Sequence, residues 1–342
     1  MNQELIDFRS DTVTHPSPSM LEYMFKAKVG DDVFSEDPTV IELENRMASL
    51  FKKEAGLFCP SGTMTNQIAI KAHTQPGDEV ICDFLSHIYQ YEGGGIAFNS
   101  GCSVRLLNGN RGRLTADLVQ SAINNTEDVH KPFSSLVSLE NTANRGGGSC
   151  YNFADIQGIK SVCLKNNLKL HLDGARIFNA IVAQGETPEQ YGEIFDSISI
   201  CLSKGLGTPI GSVLVGDQSF IKKARRIRKV FGGGMRQIGY MAAAGIYALE
   251  NNINRLADDH LHAKQIAHTL REKDFIGEIL PVETNIIIFE VKGRLSVNDF
   301  VLKMKEQHIL LLAISSTHAR MVLHLDITKK MVQHTIQHIQ SL

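Results

Sequence analysis

Short apolar runs alternate along this chain with longer segments whose apolar residues recur at helical spacing. The apolar runs predict buried strands at 79–83, 134–140, 168–175, 197–203 and 211–216. The helical spacing predicts helices over 38–51 and 152–167. Strands that alternate with helices predict an α/β protein, with a large and mostly parallel sheet covered by helices on both faces.

The pattern changes towards the C-terminus. Residues 239–272 have one long helical pattern, and strand-like and helix-like segments follow it at shorter spacing. These later segments predict a small α+β unit. We therefore expect a large domain over residues 1–245, to which the N-terminal segment belongs, and a smaller C-terminal domain over residues 246–342.

Composition narrows the class of protein. The 342 residues are 43% hydrophobic and 21% charged, with a net charge of −2, so we expect no general attraction to nucleic acid or to an anionic membrane. The six cysteines include no C-x-x-C pair and the histidines no H-E-x-x-H motif, so we name no metal site. No signal peptide and no apolar run of about 18 residues is present, which favours a cytoplasmic protein.

Chemically versatile residues stand where the predicted strands end. Asp173 ends one strand, and Lys204 follows the next one, 31 residues later. Residues 61–63 begin a predicted helix, where free backbone N–H groups favour a phosphate. Because ligands bind at the carboxyl ends of the strands in such sheets, these residues are expected to meet at one edge.

Taken together, these residues fit pyridoxal 5'-phosphate. That cofactor needs an amine to form a Schiff base with its aldehyde, an acid beside its pyridine nitrogen and a cradle for its phosphate. Lys204, Asp173 and the helix start supply the three, and His87 offers a ring to stack on the cofactor. A nucleotide-binding oxidoreductase is the alternative, but Gly205 and Gly207 lack the spacing of the dinucleotide-binding fingerprint.

Eight motifs carry a resemblance to one known family. In chain order they are FRSDTVTHPS, VGDDVF, DPTV, SGTMTN, SLENT, HLDGARIFNA, CLSKGLGTPIGS and GGGMRQ. From about residue 5 to the C-terminus the chain resembles the L-threonine aldolases, which belong to the β-eliminating lyase group of fold-type-I pyridoxal-phosphate enzymes. The resemblance implies that fold and that cofactor.

The resemblance also implies a set of residues that bind the cofactor. Lys204 would form the Schiff base, Asp173 would pair with the pyridinium nitrogen and His87 would stack on the ring. The helix start would bind the phosphate, and Arg236 would reach the phosphate site of a partner subunit. The residues of the helix start are Ser61, Gly62 and Thr63.

For the substrate, the resemblance implies retro-aldol cleavage of L-threonine or L-allo-threonine to glycine and acetaldehyde. Ser10, Arg176 and Arg320 would hold the substrate carboxylate, and Arg176 would also contact the cofactor. His130 would approach the β-hydroxyl group. The sequence leaves the general base open between His130, His87, a water molecule and the cofactor phosphate.

Other interpretations stay open on the sequence alone. Another pyridoxal-phosphate lyase reaction, such as β-elimination, or a decarboxylation could use the same scaffold, and a non-catalytic protein could have kept the fold. The resemblance implies a homo-oligomer with sites between subunits, and we expect a tetramer built as a dimer of dimers. The sequence does not distinguish this tetramer from a dimer, and it does not fix the physiological substrate.

Overall fold

The computed structural model describes residues 5–342, and its regular elements follow the apolar pattern of the chain. The strands are β1 (Ile6–Asp7), β2 (Ala55–Cys59), β3 (Glu79–Asp83), β4 (Ser103–Leu107), β5 (Ser134–Glu140), β6 (Lys169–Gly174), β7 (Ser197–Cys201), β8 (Ser212–Gly216), β9 (Ile276–Ile279), β10 (Ile286–Val291), β11 (Ile309–Leu310), β12 (Leu312–Ala313) and β13 (His318–Val322). The helices are α1 (Pro18–Phe25), α2 (Pro38–Leu50), α3 (Gly62–His73), α4 (His87–Gln90), α5 (Gly95–Ser100), α6 (Ala116–Ala122), α7 (Phe153–Lys165), α8 (Ile177–Gln184), α9 (Pro188–Ile194), α10 (Gln218–Val230), α11 (Gly239–Asn251), α12 (Leu256–Arg271), α13 (Val297–Glu306) and α14 (Lys329–Ser341).

Seven strands form the large sheet, in the order β2-β8-β7-β6-β5-β3-β4. Strand β8 runs antiparallel to both of its neighbours, and all the other neighbours are parallel. This confirms the predicted α/β fold with a mostly parallel sheet. The apolar pattern did not predict β2 or β4. Strand β4 lies at the edge of the sheet with its side chains partly or largely exposed, so it lacks a buried apolar run.

The two faces of β6 differ in polarity, and this difference positions the site. Leu170 and Leu172 pack into the main core on one face. His171 and Asp173 alternate with them and lie on the other face, where both hydrogen-bond to helix α3. The same strand therefore anchors the core and presents polar groups at its carboxyl end.

A four-stranded antiparallel sheet, in the order β12-β13-β10-β9, forms the smaller unit with its own hydrophobic core. Ile6 and Phe8 of the N-terminal segment pack into that core, and β1 pairs with β11. Helix α11 packs into the large core through Ile246 and Ala248, so this core continues just past residue 245, and the division into two domains stays a prediction. The packing changes near Leu256.

The long helical pattern over 239–272 is two helices, because the chain turns between Asn251 and Leu256. Within residues 5–342, no helix combines the length and the apolar character needed to cross a membrane.

Candidate active site

The carboxyl ends of three neighbouring strands bring the candidate residues together. Glu140 at the end of β5 lies opposite Asp173 of β6, and Asp173 lies opposite Ser199 of β7. Lys204 follows β7 in a turn that closes with a hydrogen bond from the N–H of Gly207 to the Lys204 carbonyl (2.8 Å). The lysine and the aspartate therefore stand at adjacent strand ends of one sheet edge.

Asp173 is almost completely buried, at 2% exposure, and each carboxylate oxygen accepts a hydrogen bond. The side-chain amide of Asn66 donates to Oδ2 at 3.0 Å, and the N–H of Ala175 donates to Oδ1 at 3.1 Å. Both donors stabilise the ionised carboxylate. A buried anion held in this way suits a cationic partner such as a protonated pyridine nitrogen.

Glu92 joins His87 to this carboxylate. Its buried side chain accepts hydrogen bonds from Asn66 Nδ2 (2.9 Å), His87 Nδ1 (3.0 Å) and Gln67 Nε2 (2.7 Å). Burial alone would lower the pKa of His87, but the hydrogen bond to Glu92 and the charge of Asp173 raise it above its ordinary value. His87 is therefore held by Nδ1, with its ring 30% exposed at the site.

His87, Glu92 and Asp173 also have their potential ligand atoms within 4.8 Å of one another, as a cation site would. The hydrogen bonds to Asn66, and between His87 and Glu92, already satisfy these atoms and account for their closeness. The cluster therefore needs no metal ion to explain it.

Glu140 is a second carboxyl group at the same edge. Its two oxygens accept hydrogen bonds from the backbone N–H groups of His87 (2.8 Å) and Asn144 (2.9 Å). Burial and the nearby charge of Asp173 nevertheless raise the pKa of Glu140 to about 7. At neutral pH this group can exchange a proton within the site.

The start of α3 fits a phosphate group. Ser61 caps the helix by accepting a hydrogen bond from the N–H of Met64 (3.2 Å). The N–H groups of Gly62 and Thr63 have no partner among residues 5–342, and Ser212 beneath Gly62 has a buried hydroxyl that is likewise unpartnered. Free donors at the positive end of a 12-residue helix suit an anion. Together with Lys204 and Asp173, they match the donor set that pyridoxal phosphate requires.

Arg176 is buried and makes a bidentate ion pair with Asp11, from Nε to Oδ2 at 2.7 Å and from Nη2 to Oδ1 at 2.6 Å. Burial would raise the pKa of Asp11, but the charge of Arg176 and the more distant amine of Lys204 lower it. Asp11 thus takes Nε and one N–H of Nη2, and a contact of Arg176 with a substrate carboxylate stays a prediction that would use its remaining N–H donors.

Ser10 makes local hydrogen bonds within the N-terminal segment, and its contact with a substrate carboxylate stays a prediction. Its hydroxyl oxygen accepts hydrogen bonds from the N–H of Thr12 (3.2 Å) and from the Thr12 hydroxyl (2.8 Å), which caps a single 3-10 turn over Asp11–Val13. This turn carries Asp11 into its pair with Arg176. The structure therefore shows Ser10 as the cap of the segment that holds Arg176.

Arg320 on β13 is a candidate ligand for the substrate carboxylate that has an unpartnered donor. Its Nη1 donates to Asn144 Oδ1 at 3.0 Å and its Nη2 to the Arg9 carbonyl at 3.1 Å, while its buried Nε has no partner in the described part of the chain. Burial and the charge of Arg176 lower the pKa of this guanidinium group. Two arginines that lie close enough to affect each other would attract a carboxylate between them.

His130 does not lie at this edge within a single chain. It precedes β5, whereas the site lies at the carboxyl end of that strand, about 20 Å away for a seven-residue strand. Its side chain is 89% exposed and pairs with Asp128 at 3.0 Å. His130 is therefore remote from this edge within one chain, and its approach to the β-hydroxyl group stays a prediction.

Arg236 has an exposed side chain held by two residues of the N-terminal part. Its guanidinium group is 55% exposed, pairs with Asp31 at 2.7 Å and lies over the ring of Phe34 at 5.8 Å. This exposed position is compatible with contact to a second subunit.

Sequence reasoning missed several residues that hold the candidate site together. Asn66 ends the SGTMTN motif and Gln67 follows it, and their signal is polarity on a helix face that packs against a sheet. Glu92 has no periodic signal, since only the folded loop brings it to His87. Asp11 lies inside the FRSDTVTHPS motif, and its place next to Ser10, a predicted substrate contact, is the available clue.

Comparison with known proteins agrees with this geometry. The chain matches the model of the beta-eliminating lyase family over residues 7–294. It is 40% identical over 341 residues to low-specificity L-threonine aldolase 1 of Arabidopsis thaliana, which covers 98% of this chain and 95% of the plant protein. It is 42% identical over 337 residues to the low specificity L-threonine aldolase of Escherichia coli K12, covering 98% of each chain.

Among solved structures, threonine aldolase of Leishmania major superposes with a TM-score of 0.85 at 20% identity, over 98% of this chain and 99% of that one. This confirms the fold, including the smaller C-terminal unit. The family match and the full-length identities together show that the chain belongs to the beta-eliminating lyase family of enzymes that use pyridoxal 5'-phosphate.

Proposed function

We propose that this enzyme cleaves L-threonine and L-allo-threonine to glycine and acetaldehyde by a retro-aldol reaction. The carrying observation is the placement of Lys204 and Asp173 at adjacent strand ends, next to a helix start with free N–H groups. The full-length likeness to low-specificity L-threonine aldolases supports this substrate class. The cleavage would serve threonine breakdown and glycine formation.

Each part of the site has a role in this proposal. Bound pyridoxal phosphate supplies an electron sink at the substrate α-carbon. Lys204 provides the amine that holds the cofactor, and Asp173 keeps a proton on the cofactor's ring nitrogen. The N–H groups of Gly62 and Thr63, with the cap of Ser61, receive the phosphate.

The remaining residues hold the substrate and move its proton. Arg320 has an unpartnered Nε donor and binds the substrate carboxylate, and Arg176, whose charge is paired with Asp11, contributes its remaining N–H donors. Holding the carboxylate in place selects the bond that breaks. His87 is fixed through Nδ1 by Glu92, which leaves Nε2 to take the proton of the β-hydroxyl group.

We further propose that the active form is a homo-oligomer, with the tetramer as the expected state. Arg236 then reaches the phosphate site of a neighbouring subunit. His130 lies in an exposed loop with Val129 and Phe133, which are 92% and 59% exposed, and such an apolar tip suits docking against another chain. In this arrangement His130 acts on the substrate of a neighbouring subunit.

The test starts from the purified protein and its visible spectrum. We expect a yellow protein that borohydride bleaches with a covalent label on Lys204, and that releases equal amounts of glycine and acetaldehyde from L-threonine. Lys204→Ala should abolish the label and reduce cleavage by at least about a thousandfold, because it removes the amine that holds the cofactor. The control Lys165→Ala changes an exposed lysine at the end of α7 and should leave both unchanged.

Two outcomes would contradict the proposal. Release of 2-oxobutyrate in place of glycine and acetaldehyde would assign a β-elimination to the same site. Absence of the yellow colour after addition of pyridoxal phosphate would show that this chain does not bind the cofactor.

A further inference from the structure

A buried chain of hydrogen bonds runs behind Asp173, away from the substrate. Asn66 Nδ2 donates to Asp173, and Asn66 Oδ1 lies 3.2 Å from His171 Nε2. His171 Nδ1 lies 2.8 Å from the Ser197 hydroxyl, which lies 2.8 Å from His73 Nε2. His171 and Ser197 are fully buried, at 0% exposure. Four side chains therefore link the candidate cofactor carboxylate to the far end of α3.

The fold places these groups in line. Asn66 and His73 are seven residues apart on α3, about two turns, so they lie on one face of the helix. His171 and Asp173 are two residues apart on β6 and share one face of the strand. Ser197 lies directly opposite His171 on β7. The chain of hydrogen bonds is thus a polar seam between one helix and two strands.

The direction of every hydrogen bond in the seam follows from the carboxylates at one end of it, which can only accept. Asn66 donates from its single amide nitrogen to two carboxylates, Asp173 and Glu92, which accept only. Its carbonyl oxygen must therefore accept, so His171 donates from Nε2. A neutral His171 then accepts at Nδ1 from the Ser197 hydroxyl, whose oxygen accepts from His73 Nε2.

Burial keeps both rings neutral, as this pattern requires. Burial lowers the pKa of His171 to about 3 and that of His73 to about 4. The ring of His73 also stacks on Phe220, with centroids 4.5 Å apart and planes 15° apart. Each side chain of the seam donates to the next one on the way to the carboxylates, so the hydrogen bonds polarise one another in the same direction.

We propose that His171 is a positioning residue that acts through Asn66, by fixing the amide so that its NH₂ group faces Asp173 and Glu92. Without the His171 donor, the Asn66 carbonyl oxygen loses its partner. The side chain is then held at one end only, so the amide can shift away from Asp173. Asp173 would lose a donor that stabilises its charge, and the cofactor would be held less well. The role of Asp173 in this inference rests on the proposed function.

A double-mutant cycle on the holoenzyme tests the inference, with retention of pyridoxal phosphate during dialysis as the readout. We expect His171→Leu to weaken retention by about ten- to a hundredfold, the effect of one unsatisfied buried hydrogen bond. Asn66→Leu should weaken retention at least as much, and the double variant should match Asn66→Leu alone, because His171 acts only through Asn66. His171→Gln should restore retention, since its amide nitrogen can take the place of Nε2 as donor.

A buried histidine outside the seam provides the control. His324 is 1% exposed, and its Nε2 hydrogen-bonds the Asp7 carbonyl at 2.7 Å. His324→Leu should lower the melting temperature but leave cofactor retention unchanged. Additive losses in the double variant, or wild-type retention in His171→Leu, would overturn the inference.

A milder variant covers the case in which His171→Leu does not fold. Ser197→Ala removes only the hydroxyl that donates to His171, and retention should again fall, with no further loss when combined with Asn66→Leu; full retention in Ser197→Ala would overturn the inference. The readout also separates this inference from the proposed function. If the protein binds the cofactor but does not cleave threonine, the proposed function is wrong. Retention of the cofactor by the variants still tests the role of His171 in that case.

Discussion

The inner and outer parts of the candidate site are built differently. The inner part consists of Asn66, His87, Glu92, Glu140 and Asp173, and hydrogen bonds within the chain link each of these side chains to its neighbours. The outer part consists of Thr63, His130 and Arg236, which are all exposed. One chain completes the inner part and leaves the outer part open.

This difference follows from what each part has to do. A carboxylate that stabilises a buried cation must be ionised and fixed before the ligand arrives, so its donors belong to the same rigid sheet and helix. Groups that receive a phosphate or a substrate must stay accessible until it binds. The comparison indicates that folding of one chain completes the inner part, and we propose that ligand binding and assembly complete the outer part.

The strongest test of the difference between the inner and outer parts is complementation between two inactive variants. Lys204→Ala removes the amine that holds the cofactor beside the inner part. His130→Phe removes the histidine that we assign to the site of a neighbouring subunit. We expect each variant alone to be severely impaired. Co-expression should restore about a quarter of wild-type activity, because mixed oligomers contain sites with Lys204 from one chain and His130 from another. The assay measures glycine formation by differently tagged, co-purified chains.

The matched control pairs Lys204→Ala with Asp173→Ala. Both residues belong to the site of one chain, so mixing these two variants should restore no activity. Inactive mixtures of Lys204→Ala and His130→Phe, with hetero-oligomers demonstrated by the tags, would show that His130 does not act across subunits.

The next prediction concerns the buried pair of Arg176 and Asp11. Asp11→Asn leaves a buried guanidinium group without its counter-charge, which typically costs about 3–5 kcal/mol of unfolding free energy. Urea unfolding of the two proteins measures the difference. Asp155→Asn, at an exposed position in the first turn of α7, is the control and should stay close to wild type. A loss below about 1 kcal/mol for Asp11→Asn would show that water or another anion compensates Arg176.

The fold could be predicted further from the sequence than the site. The apolar runs of β3, β5, β6, β7 and β8 are fully or mostly buried, so the apolar pattern alone predicts them as core strands. Lys204 and Asp173 were found because they interrupt that pattern at strand ends. The exposed edge strand β4 and the break after α11 leave no comparable signal.

The supporting residues were out of reach for a physical reason. Glu92 meets Asn66 and His87 only after a loop and a helix have packed, and no spacing in the sequence encodes that meeting. Asp11 meets Arg176 across 165 residues. The motif likeness predicts candidate residues for the reaction, but the hydrogen bonds that orient them depend on tertiary structure.

The last prediction tests the inner part through pH. Because the pKa of Glu140 is raised from 4.5 to about 7, the folded protein keeps this proton at pH values where the unfolded chain has lost it. The resulting stabilisation is fully present below about pH 4.5 and is lost as pH rises through about 7. Glu140→Gln cannot titrate, so the wild-type unfolding free energy should fall relative to the variant, by up to about 3 kcal/mol, between about pH 5 and pH 8. Urea unfolding at both pH values measures this change, with Glu278→Gln at an exposed position as the control. A pH-independent difference between wild type and Glu140→Gln would mean that Glu140 is ionised throughout, and that the inner part tolerates two neighbouring charges.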